Sequence, residues 1–179
     1  MAQIDDFKAN LLGGGARTNQ FRVTITPPAG IAIGLDVRRT SFLCKGTSLP
    51  DITIGTMELK YRGRSISIAG DRDTTGDWTT EFYMDTDMMI LNALQRWNNG
   101  INDFDENTGV NSLSDYATDL TAEMLDRDGT VLKTYIFKNA WPVTVGAPPA
   151  LDSAGEGTTI GTFTCTWKYQ NYSLSGVNF

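Results

Sequence analysis

The chain of 179 residues contains no histidine. That absence removes Ser-His-Asp and Cys-His catalysis, histidine-ligated zinc and the usual near-neutral general base. Its two cysteines, Cys44 and Cys165, are too few for a disulfide scaffold or a four-thiolate metal site. Nothing marks an oxidising compartment, so they read as half-buried strand thiols, with a disulfide at either left open. No apolar run reaches the length of a membrane span, so no membrane insertion is expected. The opening "MAQIDDFKAN" carries acids and no apolar centre, unlike a signal peptide. Basic residues are the minority, 15 against 21 acidic ones, for a formal charge of −6. With a pI near 4.6, the chain lacks the basic footprint of a dedicated nucleic-acid binder. No nucleophile–base pair is visible, so neither an enzyme nor a cofactor is expected.

What is present suffices for one ordinary domain with a real core: 40% apolar and 20% charged residues over 1–179. Residues 1–18 read as a flexible arm. Gly13, Gly14 and Gly15 lack the preceding strand and following Lys-Ser/Thr of a phosphate loop. Strands follow. "NQFRVTIT" alternates until Pro27 and Pro28 stop it, and "TSFLCKGTSLP" reads as a short strand ending at Pro50. "ITIGTMELKY" and "RSISIAG" flank Arg62-Gly63 as a hairpin, with Met57, Leu59 and Tyr61 on one face and Glu58, Lys60 and Arg62 on the other. "WTTEFYMD" alternates again. "DTDMMILNALQRWNNG" predicts a helix with the stripe Ile90, Leu94, Trp97, Ile101, capped at Asp85 or Thr86 and ended by Gly100. "LTAEMLD" and "TVLKTYIFKNAW" meet at Asp128-Gly129, a strong turn signal, and "TIGTFTCTWKYQNYSL" reads as one closing strand. The expected fold is mainly β: an antiparallel β-sandwich or half-barrel with one flanking α-helix.

The stretch "DRDTTGDWTTEF" weighs three readings. Asp71, Asp73, Thr75 and Gly76 fit the start of a calcium loop, but the closing position, which needs a bidentate glutamate, holds Phe82. Glu81 is one place early, and the flanks are strands rather than helices. Paired-carboxylate hydrolysis needs two acids facing one cleft, one with a raised pKa, and a glycine-rich turn offers solvated acids instead. The preferred reading is a polar connection into the strand at Trp78, with Arg72 among the acids suited to a contact with another subunit.

Several stations then fall in a familiar order: "ARTNQF" (16–21), "FLCKGTSLP" (42–50), "ISIAGDRDTTGDWTTEF" (66–82), "WPVTVG" (141–146) and the alternating closing strand. In this order they resemble the tail tube proteins of contractile-tail bacteriophages. Segments 27–41, 102–118 and 147–159 are longer than that pattern. The resemblance implies a structural virion protein, with six subunits joined edge to edge so that their inner sheets close into a large β-barrel ring. Rings would stack into the hollow tube that conducts the genome into the host. It implies tail sheath, baseplate, tape-measure and tail-terminator proteins as partners, and DNA passing through the lumen without specific binding. Tubes of type VI secretion or bacteriocin machines are the nearest alternative, and a calcium-dependent β-sandwich module the more distant one.

Within that frame, opposite charges close in sequence suggest a subunit or ring interface: Lys60, Tyr61, Arg62 and Arg64 against Asp71, Arg72 and Asp73. Glu58 and Glu81, on polar faces of alternating strands, are candidates for the lumen. Six subunits at −6 each place −36 formal charges on a ring. An acidic wall suits a conduit, because phosphates bind by displacing counterions at basic walls.

Overall fold

Alternation of apolar and polar residues produces nine strands in the computed structural model, which describes residues 2–74, 76–149 and 160–178. They are β1 (Phe21–Thr24), β2 (Cys44–Ser48), β3 (Thr53–Tyr61), β4 (Arg64–Asp73), β5 (Trp78–Tyr83), β6 (Thr118–Leu125), β7 (Val131–Val145), β8 (Thr162–Lys168) and β9 (Asn171–Gly176). One sheet runs β1-β6-β7-β8-β5-β2, with β9 also on β7, and β3-β4 forms a second sheet of two strands. All pairings are antiparallel.

β7 is the spine. Its first part lies between β6 and β9, and its last part pairs with β8. Between the two parts Asn139 takes φ 50, a conformation asparagine tolerates better than most residues, and the register shifts again between Pro142 and Thr144. Such irregularities let one strand pass from one layer of a sandwich to the other. β8 and β9 follow each other along the same ladder, from Trp141↔Lys168 to Lys138↔Asn171. The single closing strand expected from sequence is thus one ladder broken at Tyr169–Gln170.

The core lies where the alternating faces meet. Phe163, Cys165, Trp167 and Tyr169 are buried, as are Trp78, Thr80 and Phe82. Trp78 stacks on Phe137 at 4.3 Å between ring centres, and Trp97 meets Trp167 edge-on at 5.5 Å. The buried Thr80 hydroxyl accepts from the Trp167 indole nitrogen at 2.9 Å, so the polar atoms of that pair are matched. Both cysteines are free and buried, and burial pushes the Cys44 thiol up to about 12.

Four α-helices are present among the described residues. α1 (Ala2–Asn10) is a helix in the segment expected to be arm without an element; its described side chains are exposed, and a 3₁₀ turn, Leu12–Gly14, follows it. α2 (Val37–Leu43) occupies residues expected to be loop and the start of a strand. Its cause is local: the Asp36 carboxylate caps it by accepting from the Arg39 amide at 3.1 Å. Strand therefore begins only at Cys44. α3 (Met89–Ile101) is the expected amphipathic helix, burying Ile90, Leu91, Ala93, Leu94 and Trp97. Asp87 accepts from the Met89 amide at its start. Gly100 does not end α3, which continues to Ile101; a Cβ there would lie 2.7 Å from Ile31, so this glycine permits close packing. α4 (Leu113–Tyr116) is a single turn within 102–118, where the Tyr116 carbonyl accepts from the Trp97 indole at 2.8 Å. Arg39 joins α2 to the approach of α3 through Asp85 and, at 2.7 Å, Asp87. Of 147–159, residues 150–159 lie outside the described residues.

Candidate assembly surface

The hairpin β3–β4 stands apart from the packed body. Every residue of β3 is exposed, and so is every residue of β4 except Gly70. Its turn is built from Arg62 and Gly63 at φ 49 and 78, the left-handed pair that matches strand twist in a tight hairpin. The register is Tyr61↔Arg64, Leu59↔Ile66 and Met57↔Ile68, so these residues, apolar except for Arg64, share one face. Glu58↔Ser67 and Lys60↔Ser65 share the other, where Ser65 donates to Glu58 at 3.2 Å. Further down, the register shifts between Ile54 and Thr56, opposite Gly70. Ile54 pairs with Arg72 and Thr53 with Asp73 at the root.

The exposed fractions are decisive here: Met57 53%, Leu59 54%, Ile66 50% and Ile68 42%. A two-stranded hairpin is at best marginally stable alone in water. One with an apolar face and both edges unpaired is a surface awaiting a partner.

The expected interface residues divide between the ends of this hairpin. Lys60, Tyr61, Arg62 and Arg64 form the tip; Asp71, Arg72 and Asp73 form the root. Asp71 and Asp73 are strand residues, not members of a turn, and the connection to β5 begins after them. The calcium-loop arrangement is therefore extended backbone at Asp71 and Asp73, while Thr75 lies outside the described residues. Nine residues of strand at about 3.3 Å each separate tip from root by roughly 30 Å, so the two charge sets cannot meet within one chain. Among the described residues, none of Lys60, Arg62, Arg64, Asp71 and Arg72 forms an ion pair. The Arg62 guanidinium lies 5.3 Å from the Tyr61 ring centre instead.

The two candidate lumen residues differ in setting. Glu58 is exposed on the polar face of β3. Glu81 lies mid-β5 and accepts from Lys45 of β2 at 2.7 Å. That hydrogen bond, then one from the Thr162 hydroxyl, holds the Glu81 carboxyl below its usual range. Its charge is thus matched inside the subunit.

The main sheet leaves edges of its own. β1 and β2 end its path without pairing each other, and a groove of about 550 Å³ opens between them, lined by Phe21, Lys45, Thr47 and Leu49 among others. Among the described residues, β9 pairs only with β7. The described subunit thus carries unpaired sheet edges and an exposed apolar hairpin face. Alternation identifies the hairpin faces from sequence; what it does not reveal is that both faces stay uncovered. No helix of the described residues is long and apolar enough to cross a membrane, and no group of three or more His, Cys, Asp or Glu side chains among them is arranged to hold a metal ion.

A curated tail tube protein of Serratia phage KSP90 is 28% identical over 171 residues, covering 94% of this chain and 95% of the relative. Among solved structures, the fold matches a chain from the PVC sheath–tube complex of an extracellular contractile injection system in its extended state. That match has a TM-score of 0.62 and 17% identity, over 95% of this chain and 97% of that one. The anti-feeding prophage tube-terminating cap matches with a TM-score of 0.64 and 18% identity, over 91% and 92%. The profile of the phage tail tube protein family matches residues 16–175, and the chain belongs to that family.

Proposed function

We propose that six copies of this tail tube protein close into a ring, and that rings stack into a hollow tube through which a genome passes. The observation that carries this is the β3–β4 hairpin on a family-member body. Its half-covered apolar face and two free edges fit a role in which each copy's hairpin lies against the next copy. The free edges β1, β2 and β9 offer further lateral pairing, and closure of a ring would leave none of them open.

The tip residues Lys60, Tyr61, Arg62 and Arg64 and the root residues Asp71, Arg72 and Asp73 belong, in this arrangement, to contacts between copies. Their roughly 30 Å separation along the strands supports a head-to-tail relation. Glu58 and Glu81 face the bore, as acids that repel rather than hold phosphates. Sheath, baseplate, terminator and tape-measure proteins are the partners; the similarity to chains of sheath–tube and tube-cap assemblies supports the sheath and the terminator. The role is structural, without catalysis or cofactor. A phage tube is favoured over the tube of a secretion or bacteriocin machine by the family profile and by the curated phage relative. Negative-stain microscopy of the purified chain tests the assembly: rings or tubes of uniform diameter are expected, and a protein that stays monomeric at high concentration would overturn it.

A further inference from the structure

The root of the hairpin carries a second feature. A polar pocket of about 330 Å³ opens there, between the start of β3, the end of β4 and the turn from β8 into β9. Three carboxylates line it: Asp51, Asp73 and Asp77. Lys168 pairs with Asp77. The Tyr172 hydroxyl is engaged, donating to the Asp51 carbonyl at 3.3 Å.

Tyr169 is different. It is 5% exposed, and its hydroxyl is the one buried side-chain polar atom without a hydrogen-bond partner among the described residues. Buried hydroxyls are nearly always partnered, and leaving one unmatched costs about 1–3 kcal/mol. The position is held by a glycine: a Cβ on Gly76 would lie 2.7 Å from that oxygen. The Tyr172 ring stands edge-on to Tyr169 at 5.9 Å, and the Phe137 ring flanks it at 5.1 Å. The hydroxyl is thus buried and unpartnered in a pocket whose lining includes Asp51, Asp73 and Asp77.

The matching group is present on the same chain, at the wrong end to reach it. The hairpin tip carries Lys60, Arg62 and Arg64, three cations without an ion pair among the described residues, roughly 30 Å from the root. We infer that the root pocket is a socket for the basic hairpin tip of a second copy, in which a tip guanidinium donates to the Tyr169 hydroxyl and to the carboxylates of Asp51 and Asp77. A guanidinium suits the site because its fork of donors engages a carboxylate and a neighbouring oxygen at once. Tip into root is a heterologous contact, which repeats around a ring or along a filament and sets the register of each copy on the next. The socket presupposes the assembly of copies proposed above.

The test uses full-length protein and its critical concentration for assembly at low salt. Arg64→Glu and Asp51→Lys each change an exposed residue and are expected to raise that concentration about tenfold without lowering the melting temperature. In the Asp51→Lys background, Arg64→Glu is expected to cost less than about threefold, because the two changes meet at one site. Tyr169→Phe removes a hydroxyl that has no partner within the described subunit. It should leave melting unchanged or higher while weakening assembly several-fold, which a merely structural tyrosine would not do. Independent, additive losses for the two charge reversals, or wild-type assembly by Tyr169→Phe, would overturn the socket. A wild-type chain that forms no rings or tubes would instead overturn the assembly on which the socket rests.

Discussion

Replacing Leu59 and Ile68 together by threonine separates what the hairpin does for the subunit from what it does between subunits. Both residues lie on the apolar face and are 54% and 42% exposed in the isolated chain. Full burial of such a side chain is worth about 1.5–3 kcal/mol, so covering the exposed half contributes about 1 kcal/mol for each residue. The pair then supplies about 2 kcal/mol per docked hairpin. At 1.4 kcal/mol per tenfold, its loss raises the critical concentration for assembly about 30-fold. Threonine keeps the strand preference of the hairpin, and neither residue joins the core, so the subunit's melting curve should stay within the shift of an ordinary surface change, about 0.5 kcal/mol. Sedimentation velocity across a concentration series, with thermal melting of the dilute protein, measures both quantities. Assembly at wild-type concentration would refute the claim that this face is covered by a neighbour. A large fall in melting temperature would show instead that the hairpin packs on its own subunit.

Other outcomes follow from the same structure. Trp97→Ala should cost about 3–5 kcal/mol in urea unfolding, because the indole is fully buried against Trp167 and its loss also strips the Tyr116 carbonyl of its donor. The Asp85 carboxyl is held below its usual range, first by the hydrogen bond from Arg39 and then by the Thr86 amide. Its folded-state value lies below the unfolded one, so its contribution is present above the unfolded value and fades as pH falls through the folded one; Arg39→Met should flatten the acid end of a melting-temperature profile. Glu58→Lys with Glu81→Lys should leave tubes able to form while making genome ejection slow and salt-dependent, since phosphates would then displace counterions at a lysine-bearing wall. Because Glu81 is matched by Lys45 within the subunit, Glu58→Lys is expected to be the stronger of the two. Ejection from mutant virions at low and high salt reads this directly.

Much of the fold was legible because period-2 alternation is strict where one face is buried. "TFTCTWKY" and "WTTEF" show it at β8 and β5, and the Ile90, Leu94, Trp97 stripe shows the helical period at α3. α2 was hidden because its seven residues span too few turns for a periodic signal, and its only mark is the cap at Asp36. The "LLGGGAR" glycines suggest arm, while the helix before them leaves Ile4 and Phe7 exposed and, among the described residues, packs no apolar face onto the body. At the hairpin, the turn and both faces were readable, but sequence could not tell that the faces meet nothing in the subunit. The charge sets are near in sequence, but β3 and β4 hold them at opposite ends. The socket residues Asp51, Asp77 and Tyr169 come from three separate stretches, and only the meeting of β3, β4 and β8 brings them together.

The most direct measurement is a cryo-electron microscopy reconstruction of the assembled tube, read at β3–β4. A ring of six copies is predicted, with the Met57, Leu59, Ile66 and Ile68 face covered by a neighbouring copy. Tubes in which the hairpin projects uncovered, or assemblies without a closed ring, would contradict the account.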